Sequence, residues 1–497
     1  MAKSDLDQAF SEFATGSFLP PAATGAASVA ILHKHASKRR NKLPPGVYRS
    51  IDGFFSVYGI KFDCVWQRLP FVGNLLQMTV ERPHRKLTTW SNEYGPIYTI
   101  RTGQKYQVIV SSPELAREVV NSIFHGKAIT RWWQALVAKY SSISNRDLGS
   151  NITILTRNRK IVAMSDYDER YRMLKRMMVN NLLGQTSQKS FRGHREKYLY
   201  IALDGLFDEL RRLPGSTGHV NARDCILNFS SVKECTRQVF GRDIERVSVL
   251  KLGMEVTRWE IYRTLVQNLM KASVQIDWRN FFPSLKWIPN RKFEDGIYRV
   301  ERKRSAVTKA LMEQHRELSR SQQRDKCYCG VLLDNESHFS KDELLLAAWE
   351  PIIESSDTTL VTSEWALYEL ARAPKLQEKL YDEIKRVVGD EHMSEDDLPN
   401  LPFLNVVIKE TLRKYSPVPI LPPRYIHEIC AGIAQAFYVV PMIIASLVQH
   451  FEWSLPQGDM DKKNVLEDTA TQKLEPLQAC AKPRVPRRLA GNAQKVK

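Results

Sequence analysis

Two runs near residue 100 alternate like half-buried strands, "YGPIYTIRTG" (94–103) and "YQVIVSS" (106–112), joined by a short turn. From about residue 111 onward the apolar period lengthens to that of a helix. "SPELAREVVNSIF" (112–124) opens with a serine cap and Glu114. Long amphipathic helices are predicted over 165–184, 193–212, 294–322, 341–373, 374–388 and 402–415. Proline punctuation at "KLPPG" (42–46) and "RLPFVGNLLQM" (68–78) precedes the main body, and no internal repeat is visible. The pattern predicts a mainly α domain with a small β portion. Residues 1–68 read as an N-terminal segment and 69–497 as the body.

One helix departs from the amphipathic pattern. "KDELLLAAWEPIIESSDTTLVTSEWALYEL" (341–370) is apolar over most of its length, as a central buried helix would be. In its middle stands "ESSDTT", and buried polar groups of that kind need partners. Its hydroxyls can bond back to the previous turn. The island is therefore either a wet kink between packed helices or a polar notch that orients water and relays protons. Further on, Glu410 and Arg413 stand three apart on one predicted helix face and can pair. Most such pairs are solvated and contribute little. Apolar flanks and the proline-rich run that follows point here to a buried network.

Composition narrows the class. Hydrophobic residues at 43% and charged residues at 26% of 497 describe a globular chain. A net charge of +18 suits an anionic membrane surface or an acidic partner. Zinc-finger spacing and an aromatic-basic stripe are both missing, so nucleic acid is not an expected partner. Seven irregularly spaced cysteines do not form a secreted disulfide framework, and Cys327-x-Cys329 lacks a nearby second ligand pair. "FLPPAATGAASVAIL" (18–32) is too short to span a bilayer, and "HKHASKRRNK" follows it. It reads as a weak anchor or a targeting region. Trp278, Trp287 and Trp365 read as core or interface aromatics.

These segments together carry a resemblance. Glu410-x-x-Arg413, followed by a proline-rich run ending in Pro423-Arg424, resembles the K-helix region of the cytochrome P-450 superfamily. "ESSDTT" resembles that superfamily's oxygen-activation notch, and "LPFVGNLLQ" its proline hinge. "SDYDERYRMLKRMMVNNLLG", "DWRNFFPSLKWIPN", "WEPIIESSDTTLVTSEWALYELA" and "ETLRKYSPVPILPPRYIHE" are similar to plant ent-kaurene oxidases, membrane-bound monooxygenases of gibberellin and related diterpenoid biosynthesis.

The resemblance implies a cytochrome P-450 fold holding heme, an iron protoporphyrin, through a cysteine thiolate. Cys430 takes the position of the iron ligand, and Asp357 and Thr358 those that deliver protons during oxygen activation. Tyr171, Lys175 and Arg424 take the places of propionate-facing residues, and Glu410 and Arg413 a structural role. The implied substrate is an apolar diterpene whose methyl group is oxidised stepwise to a carboxylic acid. Electrons would come from NADPH through a partner reductase, NADPH-cytochrome P-450 reductase. The implied location is the plastid envelope or the endoplasmic reticulum.

Three departures from the family pattern stand out. Residues 47–68 separate "LPPG" from "LPFVGN", and "FHGKAITRWWQALVAKY" (124–140) is a second insertion. The third is the distance from Arg413 to Cys430, only 17 positions, so the fold is expected to be incomplete in its C-terminal part, with a gap near 428/429. The family's ligand loop reads Phe-x-x-Gly-x-Arg-x-Cys-x-Gly. Pro423, Ile426 and Glu428 occupy its first three fixed positions, and only Cys430 and Gly432 match. The expectation is therefore weak heme binding. Two alternatives stand beside the oxidase: a non-catalytic remnant or faulty gene model that does not bind heme, and a monooxygenase of another diterpenoid.

Overall fold

The computed structural model describes residues 29–34, 72–80, 83–112, 114–115, 148–166, 168–212, 218–229, 231–321, 327–421, 430–456, 471 and 474–484. The chain begins with β1 (Val29–Lys34), α1 (Leu75–Val80), α2 (Pro83–Tyr94), β2 (Ile97–Thr102) and β3 (Lys105–Val110). Next come α3 (Ser150–Leu155), α4 (Glu169–Met178), which runs into a π turn (Val179–Leu183), and α5 (Gln185–Arg212). β4 (Gly218–Asn221), α6 (Ala222–Phe229), α7 (Ser231–Phe240), β5 (Arg246–Val249) and β6 (Met254–Thr257) lead to α8 (Arg258–Tyr262) and α9 (Asn268–Ser273). Then follow α10 (Arg291–Ser321), α11 (Tyr328–Asp334), α12 (Lys341–Arg372), α13 (Pro374–Val388), α14 (Pro402–Lys414) and β7 (Ile420–Leu421). α15 (Ile433–His450), β8 (Phe451–Ser454) and β9 (Gln478–Pro483) complete the described chain.

The two alternating runs form the expected hairpin, with Ile97 opposite Val110 and Thr102 opposite Lys105. Gly73, at φ +63°, bridges to Thr102 beside the turn of this hairpin. A Cβ there would stand 2.3 Å from the Arg101 carbonyl oxygen, so only glycine lets the chain at this point lie against β2. β1 then pairs antiparallel with β3 and parallel with β7, giving the order β2-β3-β1-β7. Val29 to Leu32, the end of the apolar N-terminal stretch, are thus strand residues; the rest of that stretch and both insertions lie outside the described residues.

The helices follow the amphipathic segments closely. Leu115 N–H donates to Ser112 Oγ, the cap expected there. Asp168 caps α4 by accepting from the Tyr171 N–H at 2.7 Å. Ser340 and Glu343 close a capping box at the start of α12.

Two apolar cores meet along α12. Leu344 to Ile352 belong to a core shared with α3, α4, α7, α8, α10 and α11. Leu360 to Ala371 belong to another, shared with α5, α6, α13, α14 and α15. "ESSDTT" occupies the seam between them. α15 is long and apolar enough to cross a membrane, yet 72% of it is buried inside the protein, against α5, α12 and α13. Each fully buried Leu, Ile or Val on it contributes about 1.5–3 kcal/mol over exposure, which makes it a core helix.

Candidate functional site

The seam is built from the local chemistry of α12. Pro351 has no N–H, so the helix loses one backbone bond as it enters the notch. The hydroxyls that follow bond backward: Ser355 Oγ donates to Pro351 O at 2.7 Å, Thr358 Oγ1 to Glu354 O at 2.8 Å, and Thr362 Oγ1 to Thr358 O at 2.9 Å. Asp357 is fully buried and accepts from Thr471 Oγ1 at 2.5 Å, a partner from the C-terminal part of the chain. Asp357 and Thr358 are thus adjacent in the seam but held by different elements.

Cys430 stands just before α15, whose first turn is capped at Gly432, and the Ile433 N–H donates to Cys430 O at 3.2 Å. Its side chain is exposed. Ala431 beside it packs against the core that takes in Tyr171 and Ile353. The start of α15 therefore packs on the core that α4 and the first half of α12 share. On α4 the Lys175 ammonium lies 5.7 Å from the centre of the Tyr171 ring. Arg424, with Pro423, Ile426 and Glu428, lies outside the described residues.

Glu410 and Arg413 pair as their spacing requires, Arg413 Nε and Nη2 donating to the Glu410 carboxylate at 2.7 and 2.6 Å. The guanidinium holds the carboxyl below its usual range. The expectation of a buried network is corrected, because the Glu410 side chain is 54% exposed. The apolar residues beside the pair face the other way, with Leu404, Ile408 and Thr411 forming the buried stripe of α14.

Two further groups in the seam carried no clear signal in the sequence. Glu350 is 1% exposed and accepts from the backbone N–H groups of Val162 at 2.9 Å and Ala163 at 2.7 Å. Burial raises its carboxyl well above the usual range, and the neighbouring Glu354 raises it further. A carboxylate inside "LLLAAWEPII" was the available clue, but its backbone partners have no side-chain signature. Thr471, the partner of Asp357, lies too far along the chain for any local pattern to connect them.

A family model described as Cytochrome P450 matches residues 65–430. The chain belongs to the cytochrome P450 family. It is accordingly a P450 monooxygenase of the kaurene oxidase family, an oxidoreductase. It is 36% identical over 479 residues to an ent-kaurene oxidase of Salvia miltiorrhiza, covering 84% of this chain and 88% of the relative. It is 34% identical over 472 residues to ent-kaurene oxidase 2 of Oryza sativa subsp. japonica, covering 82% and 89%. A third relative, ent-sandaracopimaradiene 3-hydroxylase of the same rice, is 35% identical over 481 residues, covering 84% and 90%. The family implies a heme-thiolate centre, a redox partner that supplies electrons, and a hydrophobic substrate.

Proposed function

We propose that this P450 oxidises ent-kaurene at one methyl group, through alcohol and aldehyde, to the carboxylic acid. The observation that carries the reading is the seam: a polar notch between two apolar cores, with the start of the helix that follows Cys430 packed on one of them. Cys430 stands two residues before the first turn of a helix, where the N-terminal dipole favours a thiolate, the form that ligates iron. Heme iron with such a ligand supplies oxygen activation, the thiolate favouring O–O cleavage.

Cys430 would hold the iron, and Tyr171, Lys175 and Arg424 would meet the propionates. Thr358 would hold a proton at Oγ1 and Asp357 would set its supply. The apolar cores on both sides would exclude water and position a hydrocarbon that offers no polar handle. Glu410 and Arg413 would brace α14. Electrons would come from NADPH through a P-450 reductase, whose acidic surface suits a +18 chain. A membrane surface, in the plastid envelope or the endoplasmic reticulum, would meet the exposed Ile276, Trp278, Leu285 and Trp287, with Lys286, Arg291 and Lys292 beside them.

Two observations favour a second reading, a chain of this family that holds heme weakly. Cys430 is exposed, and the Glu410–Arg413 pair faces solvent. In addition, the 472 aligned positions outnumber the residues in 82% of this chain, so the rice relative carries residues without a counterpart here. A gap near 428/429 is the place the sequence offers for them. The hydroxylase relative favours a third reading, a different diterpenoid substrate.

One experiment separates the three. The chain is co-expressed with a plant P450 reductase in yeast, and membranes are collected. A thiolate-type reduced carbon-monoxide difference spectrum in the membrane fraction, with ent-kaurenoic acid formed from ent-kaurene, is the expected result. Heme-free protein sinks the oxidase reading, and heme-loaded protein inert toward ent-kaurene moves the substrate to another diterpene.

A further inference from the structure

Glu350, Glu354 and Thr358 follow one another at i, i+4 and i+8, so they lie along a single ridge of α12. Helical side chains lean toward the N-terminus, which brings the Glu354 carboxyl back toward Glu350. We infer that Glu350 is a positioning residue: with Glu354 it forms a carboxyl pair sharing one proton, and the pair clamps residues 161–163, and with them the approach to α4, onto the central helix.

Both oxygens of Glu350 are engaged by the clamped segment, and each keeps a second acceptor site. Ala163 N–H donates to Oε1 and Val162 N–H to Oε2, so Glu350 uses both oxygens as a carboxylate would. Among the described residues it makes no ion pair that could balance that charge. α11 faces it with the buried Tyr328 hydroxyl, and α7 brings Cys235 to the next residue, its thiol donating to Pro351 O at 3.4 Å. α10 contributes Arg304, but its guanidinium lies over the Trp349 ring and donates to Glu301. Glu354, one turn further along the same ridge, is the neighbouring acid that raises the Glu350 carboxyl further. Two acids one helical turn apart, one of them buried without a counter-charge, cannot both ionise without cost, so one proton stays on the pair.

The turn leading into the clamped segment is under backbone strain. Arg157, Asn158 and Arg159 have φ of 46°, 64° and 63°, three consecutive non-glycine residues in the left-handed region. Such a turn persists only when its surroundings fix it. The upstream end is fixed by Arg157, which donates to Glu301 at 2.8 Å, to Ser305 at 3.1 Å and to Asp342. Glu350 fixes the downstream end. The result is a strap lying across α10 and α12 that sets where the chain enters α4, the helix of Tyr171 and Lys175.

As a guide for a heme-facing helix, the strap rests on the function proposed above. As a proton-sharing clamp it does not, so the test uses the full chain without heme. Amide hydrogen exchange of a peptide covering 161–163, corrected for intrinsic rates, is followed from pH 5 to pH 9 beside a peptide from α13. In the unaltered chain, protection of 161–163 is expected to fall about tenfold or more as the pair loses its proton, while α13 stays constant. In Glu354→Gln the amide still donates to Glu350, so protection persists across the range. An infrared band from a buried protonated carboxyl, present in the unaltered chain near neutral pH, is expected to disappear with that substitution. Glu350→Ala should expose 161–163 at every pH. Identical pH profiles for the unaltered chain and Glu354→Gln, or an unchanged carboxyl band, would overturn the shared proton. If Glu350→Ala does not fold, the Glu354→Gln comparison decides alone.

Discussion

Two glutamates on the central helix show opposite ways of burying a carboxyl. Glu364, fully buried, is met by Arg223 Nη2 at 3.0 Å and by the Leu477 N–H at 3.2 Å. Glu350, equally buried, is met by two backbone N–H groups and a second carboxyl. The first is an ion pair that joins α6 and the C-terminal part of the chain to α12. The second keeps a proton. Between them stands Arg195, which serves two buried acids, Glu395 at 2.6 Å and Glu234 at 3.7 Å. The number of guanidinium groups per buried carboxyl therefore falls along the series, and a response to pH is expected to rise as it falls.

The largest expected effect breaks the first arrangement. Arg223→Met strands the Glu364 charge in the core, and a loss of about 3–5 kcal/mol is expected in urea unfolding. A loss under 1 kcal/mol would mean that Glu364 takes up a proton as readily as the pair around Glu350.

The intermediate arrangement sharpens the comparison through pH. Burial raises the Glu234 carboxyl to about 7, with Arg195 opposing and Glu395 adding to the rise. The folded state thus binds a proton that the unfolded state has released. That stabilising contribution is complete below the ordinary carboxyl range and is lost as pH rises through about 7. Its size is on the order of 3 kcal/mol. Unfolding free energies at pH 5 and pH 8 should therefore differ more in the unaltered chain than in Glu234→Gln. Equal differences would return the pH response to other groups.

The smallest effect belongs to the exposed pair. Glu410→Ala should change stability by less than about 1 kcal/mol, read from the thermal midpoint, because water screens the pair it breaks. A larger loss would mean that α14 depends on this pair as α6 depends on Glu364.

How much of this the sequence revealed depends on where each partner lies in the chain. The hairpin, the capped helices and the polar island in α12 are set by neighbours a few residues apart, and each was visible as a period or a spacing. β1 pairs with strands contributed by distant parts of the chain, and an apolar stretch alone cannot name its partner. Glu410 and Arg413 were placed correctly on one helix face, but which way that face points is decided by packing around α14. Cys430 is assigned as the iron ligand only by resemblance, from its order after the Glu-x-x-Arg and Pro-Arg segments, while its exposure follows from tertiary structure. Glu350 was hidden for another reason, since its ligands are main-chain groups that every residue carries.

The apolar character of α15 matters before the protein is complete. An 18-residue helix of this kind passes the length and hydropathy test for a membrane span, and a ribosome-bound chain offers it to any apolar surface nearby. Its partners α5, α12 and α13 all precede it in the chain and are synthesised first. When it emerges, the groove that receives it has already been made, so intramolecular docking has the shortest distance to cover and bilayer insertion or aggregation must compete with it.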